Sequence, residues 1–188
     1  MTARIDHTRP FIPVRIAVLT VSDTRTPKTD KSGPLLAQMI EEAGHTLAGR
    51  AVAPDDEKSI RKAVKKWVKA KDIDVVITTG GTGFTGRDVT PEAIRPIFDK
   101  EIDGFSVLFH MLSYQTVGTS TIQSRACGGL AKGTLIFCVP GSPGACEDAW
   151  RGILKFQLDN RHRPCSFVEL MPRLTESKKK KAEQETPR

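Results

Sequence analysis

The sequence predicts an α/β fold, a doubly wound and mostly parallel sheet with helices on both faces. Two observations carry this reading. Short, almost continuous apolar runs of strand length recur at VRIAVLTV (14–21), DVVITT (74–79) and GTLIFCV (133–139), the composition of strands buried on both sides. Between them lie segments of helical spacing, and strands that alternate with helices imply parallel pairing through crossovers.

Residues 1–13, with Pro10 and Pro13 and few apolar anchors beyond Phe11 and Ile12, read as an N-terminal arm suited to packing on a neighbouring subunit. An α/β domain is expected over 14–174. After the first strand comes a polar loop, SDTRTPKTDKSG, and then Leu35, Leu36, Met39 and Ile40 mark a helix over 34–43 that Gly44 stops. A second strand is expected over 45–52. Ile60, Val64, Trp67 and Val68 mark a helix over 56–70 whose other face is basic, with Asp56 as its cap. Beyond the third strand, Thr90 as N-cap, Pro91 at the first position and Glu92 in the first turn open a helix. A further helix covers 104–114. The segment GTSTIQSRACGGLAKG (118–133) reads either as a surface hairpin turning at Gly128–Gly129 or as part of a site. Ser142–Pro143 repeats the cap-then-proline signal for a helix reaching Leu158.

Composition narrows the function classes. With 38% hydrophobic and 27% charged residues the chain has material for a core without staples. No apolar run approaches the roughly 18 residues that span a bilayer, and no signal-peptide pattern opens the chain, so a cytoplasmic protein without membrane association is expected. The four cysteines form no CxxC pair and the four histidines no ligand spacing, which favours reduced thiols over a metal site. The net charge of +7 owes much to Lys178–Lys181 in a stretch without apolar periodicity, so residues 175–188 read as a basic, disordered tail. Nucleic-acid binding through that tail is a remote alternative.

In a parallel α/β sheet the ligand crevice lies beyond the carboxyl ends of the strands. The loops expected there are rich in small and polar residues: Ser22-Asp23-Thr24-Arg25, Pro54-Asp55-Asp56, Gly80-Gly81-Thr82-Gly83 and Pro140-Gly141-Ser142-Pro143-Gly144. The GGTG loop offers backbone N–H groups to a phosphate, although it is neither a Walker motif nor a GxGxxG fingerprint; as a lone feature it is equally a plain turn. Arg87 and Asp88 follow it directly, placed to meet phosphate oxygens and a divalent ion. With Asp56 as a cap, Asp55 is left for another task.

With TVSDTR, DKSG, TTGGTGFTGRDVTPEA, GTSTIQSRA and PGSPGA in that order, the chain from about residue 15 to 174 resembles molybdenum-cofactor biosynthesis proteins of the MoaB/MogA type and the G domain of gephyrin. The resemblance implies the molybdopterin-binding fold, homotrimers or homohexamers, and binding of molybdopterin. In active members it also implies transfer of AMP from ATP to the pterin's terminal phosphate with release of pyrophosphate. Carried over by motif, Asp55 and Asp88 are the catalytic carboxylates and the expected Mg²⁺ ligands, with Ser124 beside them. Ser22, Asp23, Ser32, Gly33, Gly80, Gly81, Thr82, Gly83, Arg87, Arg125, Pro140, Gly141 and Ser142 are the implied substrate-binding positions. The C-terminal FQLDNRHRPCSFVELMPRL is similar to the B-type branch, some of whose bacterial members lack the transferase activity, so a silent pterin-binding protein is the competing expectation. A phosphomonoester is already anionic near neutral pH, so the reaction calls for charge screening and alignment rather than a strong base.

Overall fold

The computed structural model describes residues 4–70 and 72–176. Its main sheet has six strands: β2 (Arg15–Val21), β3 (Thr46–Ala53), β4 (Val75–Thr79), β5 (Lys100–Glu101), β6 (Cys127–Ala131) and β7 (Thr134–Val139), in the order β3-β2-β4-β7-β6-β5. The first four of that order are mutually parallel, whereas β6 runs antiparallel to β7 and β5 antiparallel to β6. The sheet is therefore mixed, with a parallel centre and an antiparallel edge.

Alternation along each central strand divides the core in two. Ile16 and Val18 of β2, Val75 and Ile77 of β4, and Leu135, Phe137 and Val139 of β7 face helices α1 (Ser32–Glu42), α4 (Asp103–Val117) and α5 (Pro143–Ala149). Ala17, Leu19, Val76, Ile136 and Cys138 face the other way, toward α2 (Glu57–Lys69) and α3 (Thr90–Ile94). Burial on both faces is the physical reason these strands read as unbroken apolar runs.

Several element expectations are revised. Helix α1 starts at Ser32, two residues ahead of Pro34, because the Asp30 carboxylate accepts from Gly33 N at 3.1 Å and organises the first turn. Thr90 does not cap α3: the N-cap is Val89, and the Thr90 hydroxyl donates instead to the Gly80 carbonyl at 2.8 Å. Gly128–Gly129 is not a turn but the middle of buried β6, and the chain reverses at Lys132–Gly133, both at positive φ (52° and 95°), the geometry of a two-residue hairpin. Gly129 is needed there for packing, since a Cβ would fall 2.3 Å from Phe98 Cγ. The last long helix continues past α5 through a π turn (Trp150–Leu154) into α6 (Lys155–Gln157), with Leu158 as its cap.

The N-terminal residues engage their own chain. Strand β1 (Arg4–Ile5) pairs antiparallel with β8 (His162–Arg163), and Phe11 lies between the His45 ring and the Arg161 guanidinium. Asn160 donates to the Pro10 carbonyl and accepts from Ile12 N. Residues 177–188, which hold Lys178–Lys181 and all but the first two positions of the predicted tail, lie outside the described residues.

Candidate functional site

The loops that follow β2, β3, β4 and β7 meet at the carboxyl edge of the sheet, where the strand order reverses about β2, and enclose a cleft of about 830 Å³. Ser22, Asp55, Gly80 to Gly83, Asp88, Ser124, Pro140, Gly141 and Ser142 all line it. Strand order, not sequence distance, brings these positions together.

The GGTG loop is fixed from several sides. Gly80 has φ 107°, and a Cβ there would stand 2.2 Å from the Val21 carbonyl oxygen. Thr90 binds the loop twice, through its hydroxyl to Gly80 O and its N–H to Gly81 O. Arg125 closes the other end: its N–H donates to Thr82 O, its Nε to Gly83 O at 2.7 Å, and its guanidinium to Asp88 O at 2.6 Å and to Glu92. The motif resemblance makes Arg125 a ligand residue, but the structure turns its guanidinium into backbone carbonyls, outside the cleft lining.

Asp23 and Asp55 stitch the first two loops reciprocally: Asp23 N donates to Asp55 Oδ2 at 2.8 Å and Asp55 N to Asp23 Oδ1 at 3.0 Å. Arg87, largely exposed, pairs with Asp23 at the rim rather than reaching the lining. Burial, and then the negative charge of Asp88, push the Asp55 carboxyl above its usual value. Burial acts to raise Asp88 as well, but hydrogen bonds from Thr85 and Gly83 outweigh it and hold Asp88 low. The site thus contains two carboxylates that feel each other, one of them without sufficient compensation from the protein.

Ser32 and Gly33 are buried behind the cleft wall. Ser32 Oγ donates to Gly141 O at 2.8 Å, and Gly33 lies against Asp30 and Thr20. Ser142 accepts from Ala145 N at 3.2 Å, so it caps the α5 helix while also lining the cleft. Ser124 lines the cleft, and its hydroxyl accepts from Ala126 N.

Motif reasoning left out part of the lining. Ser113, Thr116, Glu147 and Asp148 all face the cleft, as does Arg25, whose loop was expected there without a role for its side chain, and Thr116 Oγ1 donates to Asp148 Oδ2 at 3.0 Å. A signal was present in α4, where the hydroxyls of Ser113 and Thr116, three residues apart, share one face of a mainly apolar helix. Among the described residues no cluster of three or more His, Cys, Asp or Glu side chains is arranged for a metal. Asp55 and Asp88 nevertheless fit an ion such as Mg²⁺, which takes one or two carboxylates and completes its shell with water and substrate phosphate.

The profile described as "Probable molybdopterin binding domain" matches residues 17–160. The chain belongs to the MoaB/MogA family of molybdenum cofactor biosynthesis proteins. It is 49% identical over 157 residues to the Escherichia coli (strain K12) "Molybdenum cofactor biosynthesis protein B", covering 84% of this chain and 92% of that one. The Bacillus subtilis (strain 168) protein of the same name is 44% identical over 142 residues, 75% of this chain and 84% of its own. A crystal structure of a molybdenum cofactor biosynthesis protein B superposes with TM-score 0.80 at 40% identity, covering 89% and 99% of the two chains. The tungsten cofactor synthesizing protein MoaB from Pyrococcus furiosus gives 0.67 at 36% identity, covering 75% and 90%. A role in molybdenum cofactor biosynthesis and a molybdopterin-binding domain follow from this membership. Among the described residues no helix is long and apolar enough to cross a membrane.

Proposed function

We propose that this protein binds molybdopterin and transfers AMP to it from ATP, as a cytoplasmic homo-oligomer. The observation that carries this reading is the Asp55–Asp88 pair beside the GGTG loop in a single cleft. An oxygen of the pterin's terminal phosphate forms a bond to the α-phosphorus of ATP. The bond from that phosphorus to the bridging oxygen breaks, and pyrophosphate leaves with the electron pair. Asp55 and Asp88 would hold Mg²⁺, and the ion would supply neutralisation of negative charge on the triphosphate. Backbone N–H groups of Gly81 and Thr82 meet phosphate oxygens in a loop whose flanking glycines keep Cβ atoms out of the way. Arg125 and Thr90 keep that loop from shifting, so its dipoles need no reorganisation during reaction. The nucleophile is already ionised, and no general base is assigned.

Incubation of the purified protein with molybdopterin, ATP and Mg²⁺ is expected to yield adenylylated pterin, detected by chromatography. Asp55→Asn and Asp88→Asn keep side-chain volume but remove the charge that faces the metal, and each is expected to slow transfer by about two to three orders of magnitude. Pterin affinity measured separately should survive both changes. Variants that turn over at the wild-type rate would remove these carboxylates from the chemistry.

A second reading, a pterin-binding protein without transferase activity, is favoured by one observation: both motif arginines, Arg87 and Arg125, are engaged by other protein groups and do not themselves line the cleft. A wild type that binds molybdopterin but forms no adenylylated product would establish it. Self-association, as a trimer or hexamer, is supported by an exposed apolar strip on α4 that includes Val107, Met111 and Tyr114.

A further inference from the structure

Arg25 is the only cation among the described residues that line the cleft. Four carboxylates share that lining: Asp55, Asp88, Glu147 and Asp148. A phosphate-bearing ligand enters against their repulsion unless a fixed positive charge meets it. The two motif arginines do not supply that charge. Arg87 pairs with Asp23 at the rim, and Arg125 is bound to Gly83 O, Asp88 O and Glu92.

The environment of Arg25 differs from theirs. It is half-buried, and no salt bridge holds its guanidinium among the described residues. Its main chain is anchored where it leaves β2, with its N–H donating to Ser22 Oγ at 3.2 Å. It shares the cleft lining with Pro140, Gly141 and Ser142 of the facing loop. A guanidinium is the group best matched to phosphate, since its planar fork can give two parallel hydrogen bonds.

We propose that Arg25 is the phosphate-recognition residue of the cleft, pairing with a phosphoryl group of the bound ligand. This rests on the pterin-and-nucleotide reading for the identity of that ligand, which offers two sources: the terminal phosphate of molybdopterin and the triphosphate of ATP. Arg25 is then a substrate-binding residue, a role that the TVSDTR motif and its loop position left unassigned.

The test titrates the full-length protein separately with molybdopterin, with Mg²⁺–ATP and with inorganic pyrophosphate, for wild type, Arg25→Ala and Arg25→Lys. Arg25→Ala is expected to weaken binding of at least one phosphate probe by about 10- to 100-fold, the worth of one charge-assisted hydrogen-bonded pair. Arg25→Lys should recover part of the loss, because it restores the charge without the fork. Recovery by lysine also separates lost recognition from a damaged fold. A loss confined to molybdopterin assigns Arg25 to the pterin phosphate, and a loss confined to ATP assigns it to the nucleotide. Binding of all three probes by Arg25→Ala at wild-type strength would overturn the proposal while leaving the pterin reading intact. If wild type binds pyrophosphate through Arg25 but not molybdopterin, the pterin reading falls and the phosphate role of Arg25 stands. If wild type binds none of the three, both fall.

Discussion

A methyl group on Gly80 would stand 2.2 Å from the Val21 carbonyl oxygen, and neither side of that contact can yield. Val21 ends a central strand, and Gly80 is held by its N–H to Val139 O and its carbonyl to Thr90. Its φ of 107° is strained for any residue with a side chain. Gly80→Ala is therefore expected to destabilise the fold by on the order of 3 kcal/mol, lowering Tm by about 6–12 °C in a chain of this size. Gly86, whose Cβ would meet nothing within 4 Å, serves as the control, and Gly86→Ala should melt within a degree or two of wild type. Equal melting of both variants would show that the loop rearranges at little energetic cost.

Helix α4 has three faces with three tasks. Phe105 and Phe109 are buried in the core, Ser113 and Thr116 face the cleft, and Val107, Met111 and Tyr114 are each more than half exposed. Sequence periodicity located the helix but did not separate its faces, because apolar residues run almost all the way round it. Such a helix is normally enclosed, and here the single chain leaves one side uncovered. A second copy of the chain is the expected cover. Val107→Glu with Met111→Glu would bury two charges at that interface, and light scattering should show the oligomer reduced to a smaller species. A wild type that is already monomeric at micromolar concentration would refute the self-association reading. An oligomer indifferent to both substitutions would place the interface elsewhere.

His45 joins the two ends of the molecule. Its ring lies 5.0 Å from that of Phe11 in the N-terminal segment and 6.1 Å from that of Trp150 in the C-terminal helix, and its Nδ1 accepts from Val14 N at 3.3 Å. Burial lowers its pKa to about 4 from an ordinary 6.5. The unfolded chain thus binds a proton more readily than the folded one, and the sign follows from that difference. This contribution to stability is complete above pH 6.5 and is lost as pH falls from 6.5 through about 4. The loss should be on the order of 2 kcal/mol after allowance for solvent screening. His45→Asn keeps an acceptor near the Nδ1 position but cannot titrate, so denaturant melts of this variant should show a flatter pH dependence across that window. A wild-type slope in the variant would assign the acid sensitivity to other groups.

The sequence by itself determined the central architecture, since strands buried on both faces must be apolar throughout and the helices between them must carry a one-sided pattern. It also marked Asp55, Asp88 and the GGTG loop, because glycines and polar residues at strand ends have no role in the core, and the family motif added Ser124. The tertiary structure alone decided what each marked residue faces. Arg125 and Thr90 hold backbone carbonyls, Ser32 and Gly33 lie behind the wall, and Arg87 stays at the rim. Gly128–Gly129, a turn by composition, is a strand because Phe98 packs onto it from about 30 residues away in sequence. Arg25 and Asp148 join the cleft only after the sheet order brings β2 and β7 to opposite sides of β4. Spacing reports local geometry, whereas the partners of a side chain depend on contacts between segments far apart in the chain.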